Sequence, residues 1–315
     1  MVAAPDPVGW LGTRRRAVLA AVLALALVVT GVSYVRIADV HDPVDWESID
    51  TDGDPQAVVD EVNRQLFRVD HRSETRVWLV DGSGARQFRA VYVDAFDYSD
   101  RQFLAHYAGP VPAAPDVAVA KPVHHDLLAN ALTARGNHTL LYAADGRYAI
   151  ATWAAPPGSA AEDGVGLPAS ARLTRGNTSV TAALYGARFF QPDHTADWRV
   201  VDRNATTVTY GVDEPAEYAK TRSLRFATAV HPGSSIRLTV DAATGRPLVV
   251  HERRVVTRQL TVENEDGTYS EVDRRLEFVV VTRFREIETL DVTRPPGVDV
   301  DPPTLRDFFW DFLRY

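Results

Sequence analysis

The sequence contains no cysteine and is almost free of lysine, with only Lys121 and Lys220 among its 34 basic residues. Without cysteine, the chain cannot form disulfides, thiolate nucleophiles, Cys-type zinc sites or the lipidated cysteine of a lipoprotein. The formal net charge is -8, and the arginines form no basic stripe that would neutralise a row of phosphates. The composition therefore predicts that nucleic acid is not a partner.

The abundant residue types are Asp, Arg, Ala, Val and Gly, and 45% of the 315 residues are hydrophobic. A chain of this length and hydrophobicity can bury a core as one large domain or two modest ones. The scarcity of lysine fits a GC-rich genome, and the acidic balance also fits the surface of a protein from a halophilic archaeon. An ordinary solvated acidic surface is the third interpretation.

Motifs that would carry catalysis are missing as well. Residues 164–166 (Gly-Val-Gly) lack the rest of a dinucleotide fingerprint, and the sequence has no P-loop. His251 and Glu252 begin like a zinc-protease helix, but the second histidine is missing and the segment has the pattern of a strand. We therefore predict no catalytic residues, no cofactor-binding residues and no cofactor.

Two groups of neighbouring polar residues come closest to a site. Residues 124–126 (His-His-Asp) have helical surroundings, where successive side chains point about 100° apart and cannot all reach one ion. Asp70, His71 and Ser73 contain the atoms of a catalytic triad, but neighbours on a strand or turn cannot adopt its geometry. We predict a solvated helix start and a polar turn, no metal site, and a protein that is not an enzyme.

The N-terminal region has the charge pattern of a membrane anchor. An uncharged run from Ala17 to Val35 is about long enough to cross the hydrocarbon core of a bilayer. It follows three arginines, Arg14, Arg15 and Arg16. Because positive residues stay on the cytoplasmic side, we predict a single-pass cell-membrane protein with its N-terminus in the cytoplasm and its bulk extracytoplasmic.

A cleaved signal peptide is the alternative, because Gly31 and Ser33 have the mutual spacing of a cleavage site. No clean A-x-A site follows them, and we favour the uncleaved anchor. The predicted organisation is a cytoplasmic tail (1–16), a transmembrane anchor (17–35), an acidic linker (36–53), a β-rich domain (54–300) and a C-terminal amphipathic helix (301–315).

Three asparagines support export. Asn137, Asn177 and Asn204 each begin an N-x-[ST] glycosylation signal, and they are half of the six asparagines in the chain. The alternative is that polar turns simply combine asparagine with threonine. We predict that the three residues are glycosylation sites.

One helix precedes a long series of strands. Asp54 can cap a helix that has Pro55 at its first position, and the valines at 58, 59 and 62 follow at helical spacing. Further along, the pattern favours strands joined by short turns. The predicted strands are 75–80, 88–93, 140–143, 148–153, 198–201, 206–212, 224–230, 238–241, 248–250 leading into 249–262, and 276–287.

The stretch "LTVDAATGRPLVV" (238–250) shows the repeated pattern most clearly. Leu238 and Val240 should point to one side of a strand, and Leu248 and Val250 should resume the pattern after the turn. Gly245 supplies the positive φ that a tight reversal needs. The stretch therefore predicts a hairpin.

Residues 123–132 and 179–190 have the spacing of short amphipathic helices, separated by a loop rich in Pro, Gly and Ser at 155–170. We expect them to cover one face of the sheet. The predicted fold class is α+β, mainly β: a curved antiparallel half-barrel meander with a few helices on its concave face, after one transmembrane helix.

The order of these segments carries a resemblance to a known family. A helix runs into "RVDHRSETRVWLV", and "LYAADGRYAI", "LTVDAATGRPLVV" and the closing "RPPGVDV" follow. In this order they resemble the lipoprotein-carrier-like (LolA/LppX-like) superfamily, as an archaeal-type membrane-anchored member. The resemblance implies a curved sheet that cradles acyl chains, and none of its motifs is catalytic. The missing lipid-anchor cysteine, the greater length and the uncleaved helix depart from that family, and a tethered domain cannot diffuse between membranes.

These observations lead to two main functional hypotheses. In the first, the domain binds an apolar ligand, a lipid or lipidated protein, in the concavity of the sheet, which the helices cover only in part. In the second, a regulatory or interaction module without a ligand cavity contacts a protein partner through the sheet edge or the tail. A solid core and an open pocket fit the sequence equally well.

The C-terminal tail, "PPTLRDFFWDFLRY", predicts an amphipathic docking helix. Leu305, Phe308, Phe309 and Phe312 recur at i, i+3, i+4 and i+7, so they form one apolar face. We predict that this face packs on the chain's own domain. The membrane interface and a groove on a partner protein are the alternative docking sites.

Overall fold

The computed structural model describes residues 44–100, 102–109, 138–144, 147–154, 167–168, 170–177, 195–222, 227–263 and 267–298. Within these ranges, twelve strands and two short helices form a mainly β fold. The helices are α1 (Pro55–Leu66) and α2 (Pro215–Lys220). The strands are β1 (His71–Val80), β2 (Arg86–Asp97), β3 (Gln102–Ala108), β4 (His138–Ala144), β5 (Arg147–Trp153), β6 (Arg172–Asn177), β7 (Arg199–Arg203), β8 (Thr207–Val212), β9 (Ala229–Val230), β10 (Ser235–Asp241), β11 (Pro247–Glu263) and β12 (Tyr269–Arg285).

All of these strands belong to one open antiparallel sheet. Its order is β6-β5-β4-β3-β2-β1-β12-β11-β10-β8-β7, and β9 pairs with β11 outside this path. The predicted single meander is therefore two meanders, which run outward from a central pairing of β1 with β12. Within each meander, neighbouring strands follow one another along the chain, apart from β9, but the central pairing joins the first described strand to the last.

α1 begins and packs as its sequence predicts. The Asp54 carboxylate accepts a hydrogen bond from the Ala57 amide at 3.0 Å, and Pro55 occupies the first turn. Val58, Val59, Val62 and Leu66 are buried against side chains from β8, β10, β11 and β12. We call the sheet face that receives α1 the helix face, and the other one the opposite face.

The hairpin of β10 and β11 is confirmed. Leu238 and Val240 are fully buried, and Gly245 has a φ of 69°. Leu248 does not resume the pattern: a bulge shifts the register between Thr239 and Val240, and the Leu248 side chain is exposed. Residues 44–53, which belong to the linker in the sequence prediction, pack on this turn. Trp46 donates its indole N–H to the Thr244 carbonyl at 3.0 Å.

The strands β2 to β5 are buried on both faces. Every residue of β4 is buried. On the opposite face, side chains of these strands pack with Leu290, Val292 and Val298, which follow β12 in the chain. This half of the sheet is therefore covered on its opposite face by the chain's own C-terminal segment.

The strand predictions were incomplete. β3, β6 and α2 were not predicted, and of the predicted strand 224–230 only Ala229 and Val230 form a strand, while residues 223–226 lie outside the described residues. Predicted helices 123–132 and 179–190, the anchor 17–35 and the tail helix 301–315 also lie outside them. No helix in the described ranges combines the length and apolar character needed to cross a membrane.

Candidate functional site

The helix face carries two apolar regions that differ in what packs on them. Around β8, β10 and β11, α1 contributes four apolar side chains to the core. Around β2 to β5, the core consists of residues from the strands and adjacent turns, and no described helix contributes a side chain to it. The core side chains of this second region are nevertheless buried, with 8% exposure or less.

Aromatic rings dominate this second region. The rings of Tyr92 and Tyr107 lie 5.1 Å apart between their centroids, and those of Phe96 and Phe103 lie 4.9 Å apart. Cross-strand pairing places these four residues on the same face, with Leu141 on β4 as their neighbour. We call Tyr92, Phe96, Phe103, Tyr107 and Leu141 the aromatic cluster. Such a surface favours acyl chains and other apolar groups.

A buried ion network lies on the helix face between the two apolar regions. Arg254 donates to the Glu252 carboxylate at 2.7 Å and 2.9 Å, and Arg222 contacts the second oxygen of the same carboxylate at 3.2 Å. The Tyr218 hydroxyl donates to Glu252 and accepts from Arg254. All four side chains are buried, and the two guanidinium groups outnumber the one carboxylate.

The electrostatics of this network keep its carboxylate ionised. Burial alone would raise the pKa of Glu252, but Arg254 and Arg222 lower it below the ordinary value for glutamate. Burial raises the pKa of the Tyr218 phenol well above its usual range. The network therefore ties α2 and the turn after it to β11 through an ionised carboxylate.

Asp70, His71 and Ser73 were predicted to form a polar turn, but His71 and Ser73 belong to β1 and Asp70 directly precedes it. The Asp70 carboxylate accepts from the Ser99 hydroxyl at 2.6 Å, whereas the His71 ring bonds the Val69 carbonyl at 2.8 Å. Asp70 and His71 therefore have different hydrogen-bond partners. Burial lowers the pKa of His71 to about 4.

Three acidic side chains are close enough to hold a cation. One oxygen each from Asp97, Asp100 and Asp291 lies within 4.8 Å of the others. However, Asp97 already accepts from the backbone N–H of Asp100 at 2.8 Å and of Val292 at 3.2 Å. These bonds account for the cluster, since they tie the segment after β12 to the end of β2.

The predicted site residues lie mostly outside the described part of the chain. Asn137, the anchor residues and the docking-helix residues are among those not described. Asn177 ends β6. Asn204 lies in the exposed turn between β7 and β8, where its side-chain oxygen accepts from the Thr206 hydroxyl at 3.0 Å. Glycosylation of the three asparagines stays a prediction.

The ion network is the part of the site that sequence reasoning missed. The available signal was the alternation of Glu252 and Arg254, which places both on one face of a strand. Their partners Tyr218 and Arg222 come from α2 and the turn after it, a helix that was not predicted. The segment of His251 and Glu252 is a strand, as predicted.

The comparisons with known proteins leave the family open. The chain matches no protein-family model, and no curated protein is significantly similar to it. Its relation to lipoprotein carriers therefore remains a resemblance in the order of its segments.

Proposed function

We propose that this protein is a membrane-anchored, extracytoplasmic and non-enzymatic binding protein that holds an apolar ligand, a lipid or a lipidated protein, against the aromatic cluster. In this proposal the sheet is curved, the helix face is concave, residues 17–35 span the membrane and the tail helix closes one end of the concavity. The observation that carries the proposal is the aromatic cluster on a sheet half to which no described helix contributes a side chain.

The division of the helix face supports this assignment. α1 fills one apolar region. On β11 the ion network lies between that region and the apolar residues next to the aromatic cluster, whereas at β1 the His71 ring contacts both Phe96 and Phe284. Because the buried charges are already engaged with one another, the network forms a polar boundary rather than a reactive group. An apolar ligand on the aromatic cluster would therefore be limited on one side by fixed charges.

The test compares two leucines that are neighbours in β4 but point to opposite faces. Leu141 belongs to the aromatic cluster, and Leu140 packs on the opposite face. The purified full chain is extracted with organic solvent, and lipid per chain is counted by mass spectrometry. Lipid around the membrane anchor is common to all variants and cancels in the comparison.

We expect Leu141→Trp to lose about one lipid molecule per chain, because the larger ring fills the space of an acyl chain. Leu140→Trp should retain the wild-type amount. Circular dichroism checks that both variants keep the sheet. Equal lipid contents in the wild type and in both folded variants would contradict the proposal.

A second candidate function rests on β7, which ends the sheet order. All of its residues are exposed, and Val200 and Val201 are 42% and 39% exposed. An exposed edge strand can add a strand from a partner protein. Cross-linking in membranes with a photoreactive residue at Val200 tests this function, which requires a stoichiometric protein neighbour. A matched photoreactive residue at Arg64 on α1 is the control.

A further inference from the structure

Two adjoining grooves lie on the opposite face of the sheet, away from the aromatic cluster. One has a volume of about 520 Å³ and extends over β8, β10 and β11, and the other has a volume of about 550 Å³ and extends over the β1–β2 turn and β12. Arg86, Arg253 and Val279 line both grooves. The two grooves therefore meet along a row of arginine side chains.

The strand register concentrates basic side chains at this junction. Arg237 on β10 is directly opposite His251 on β11, and Arg253 follows His251 on the same face. Arg283 on β12 lies diagonally across from His251, since His251 pairs with Val281. The charges of Arg283, Arg237 and Arg86 add to partial burial in lowering the pKa of His251, as expected if all three surround the ring.

Most of these charges are not neutralised by the protein. Arg253 forms an ion pair with Glu277 at 2.8 Å. Arg86, Arg237 and Arg283 have no ion pair or side-chain hydrogen bond in the described part of the chain. Among the groove residues described, the acidic side chains are Asp81, Asp202 and Glu277, together with Glu252, which is engaged in the ion network on the helix face. With Glu252 set aside, four arginines and three carboxylates line the grooves, which is a local excess of one positive charge in a chain whose net charge is -8; the arginines are Arg86, Arg237, Arg253 and Arg275.

An anion bound among these arginines would offset the mutual repulsion of their charges. The groove also carries the hydroxyl groups of Ser235, Thr209 and Thr239, of which the two threonine hydroxyls form a hydrogen bond with each other at 2.9 Å. Guanidinium groups bind phosphate oxygens with two parallel N–H bonds. We propose that this groove binds a phosphate-type oxyanion, a phosphomonoester or phosphodiester, through Arg86, Arg237 and His251.

This site is independent of the proposed apolar site, because it lies on the other face of the sheet and shares no residue with the aromatic cluster. The two proposals can therefore be tested independently of each other. A phosphate group can reach it either as a free anion or as part of a lipid headgroup, and the two sources present the same oxygens to the arginines.

The test measures binding of two soluble probes to the purified full chain in a nonionic detergent. Inorganic phosphate represents the free anion, and glycerophosphoglycerol represents the diester of a lipid headgroup. Each is titrated at constant ionic strength against a chloride control, with the melting temperature followed by tryptophan fluorescence. Arg237→Gln and His251→Gln are the site variants. Arg199→Gln, which removes an exposed arginine paired with Asp213 on β7 and β8, is the matched control.

We expect at least one probe to raise the melting temperature in a saturable way, and Arg237→Gln to weaken its binding by roughly tenfold or more. Arg199→Gln should bind as the wild type does. Response to phosphate alone identifies a free-anion site, and response to the diester identifies a headgroup site; either supports the proposal. Absence of a saturable response to both probes, or responses unchanged by both site variants, would overturn it.

Discussion

Thr75 and Thr282 face each other where β1 pairs with β12, and their hydroxyl oxygens lie 2.8 Å apart. Both side chains are buried on the helix face. This pairing joins the two meanders, so the hydroxyl contact lies at the centre of the sheet. Two residues that are 207 positions apart in the sequence therefore form one buried polar pair.

Replacing one member of this pair should cost more than replacing both. Thr75→Val leaves the Thr282 hydroxyl buried without that partner, and we expect a loss of about 1–2 kcal/mol in the free energy of unfolding. The double variant Thr75→Val with Thr282→Val should recover most of this loss. Chemical unfolding of the full chain, followed by tryptophan fluorescence, measures both. Additive losses in the double variant would show that the two hydroxyls do not stabilise each other.

Removing the single carboxylate of the buried ion network should lower the free energy of unfolding strongly. Glu252→Gln leaves two buried guanidinium groups without a counter-charge, and we expect a loss of about 3–5 kcal/mol in the free energy of unfolding. Asp213→Asn, which breaks the exposed pair with Arg199, is the control and should cost under about 1 kcal/mol. The same unfolding assay compares the two. Similar small losses in both variants would show that Glu252 is not the centre of the network.

His71 should make the stability depend on pH in a defined window. Its folded-state pKa of about 4 is lower than the ordinary value of 6.5, because burial disfavours the charged ring. As the pH falls, His71 is therefore protonated in the unfolded chain before it is protonated in the folded chain. The stability that the neutral ring contributes is complete above pH 6.5 and is lost as the pH falls toward 4. We expect a loss of about 3 kcal/mol between pH 7 and pH 4.

The variant His71→Asn isolates this effect, because its amide nitrogen can replace ring Nδ1 as donor to the Val69 carbonyl without titrating. Unfolding measured at several pH values should show a smaller loss for the variant than for the wild type in this window. Identical pH profiles would mean that His71 is not protonated differently in the folded and unfolded states.

The fold could be predicted from sequence where the pattern is local. α1 has its cap, its proline and its apolar spacing within residues 54–66, and the β10–β11 hairpin has its turn within residues 241–247. The pairing of β1 with β12 could not be predicted in this way, because it depends on which distant strands match in length and polarity. β3 was missed although its apolar residues alternate, because no turn signal separates it clearly from β2.

The candidate sites likewise differ in whether they depend on a local sequence pattern or on contacts between distant segments. The apolar side chains on one sheet face follow from alternation within each strand, and the sequence predicted them. The ion network needs Tyr218 and Arg222 from another segment, and the arginine groove needs the register of β10, β11 and β12. Both depend on contacts between strands and turns that are distant in sequence, so composition alone gave no sign of them.

Two glycines that both have a positive φ differ in whether a neighbouring side chain crowds them. Gly245 and Gly267 have φ values of 69° and 79°. A Cβ at Gly245 would lie 2.6 Å from the Cβ of Ile49, whereas at Gly267 it would meet nothing within 4 Å. Gly267→Ala should therefore cost about 1 kcal/mol for the left-handed backbone alone.

Gly245→Ala should cost clearly more, by about 1–3 kcal/mol, because it also displaces Ile49 from the hairpin. The comparison uses thermal unfolding of the full chain. Equal melting temperatures for the two variants would mean that residues 44–53 do not pack firmly on the β10–β11 turn.

The most direct test of the proposed function is to locate a bound acyl chain on the protein. Membranes containing the full chain are incubated with a diazirine-bearing fatty acid and irradiated, and labelled peptides are identified by mass spectrometry. We expect saturable labelling of β2 to β5 at residues of the aromatic cluster, lost in Leu141→Trp and kept in Leu140→Trp. Labelling confined to residues 17–35, or labelling of β2 to β5 that Leu141→Trp leaves unchanged, would contradict the proposed function.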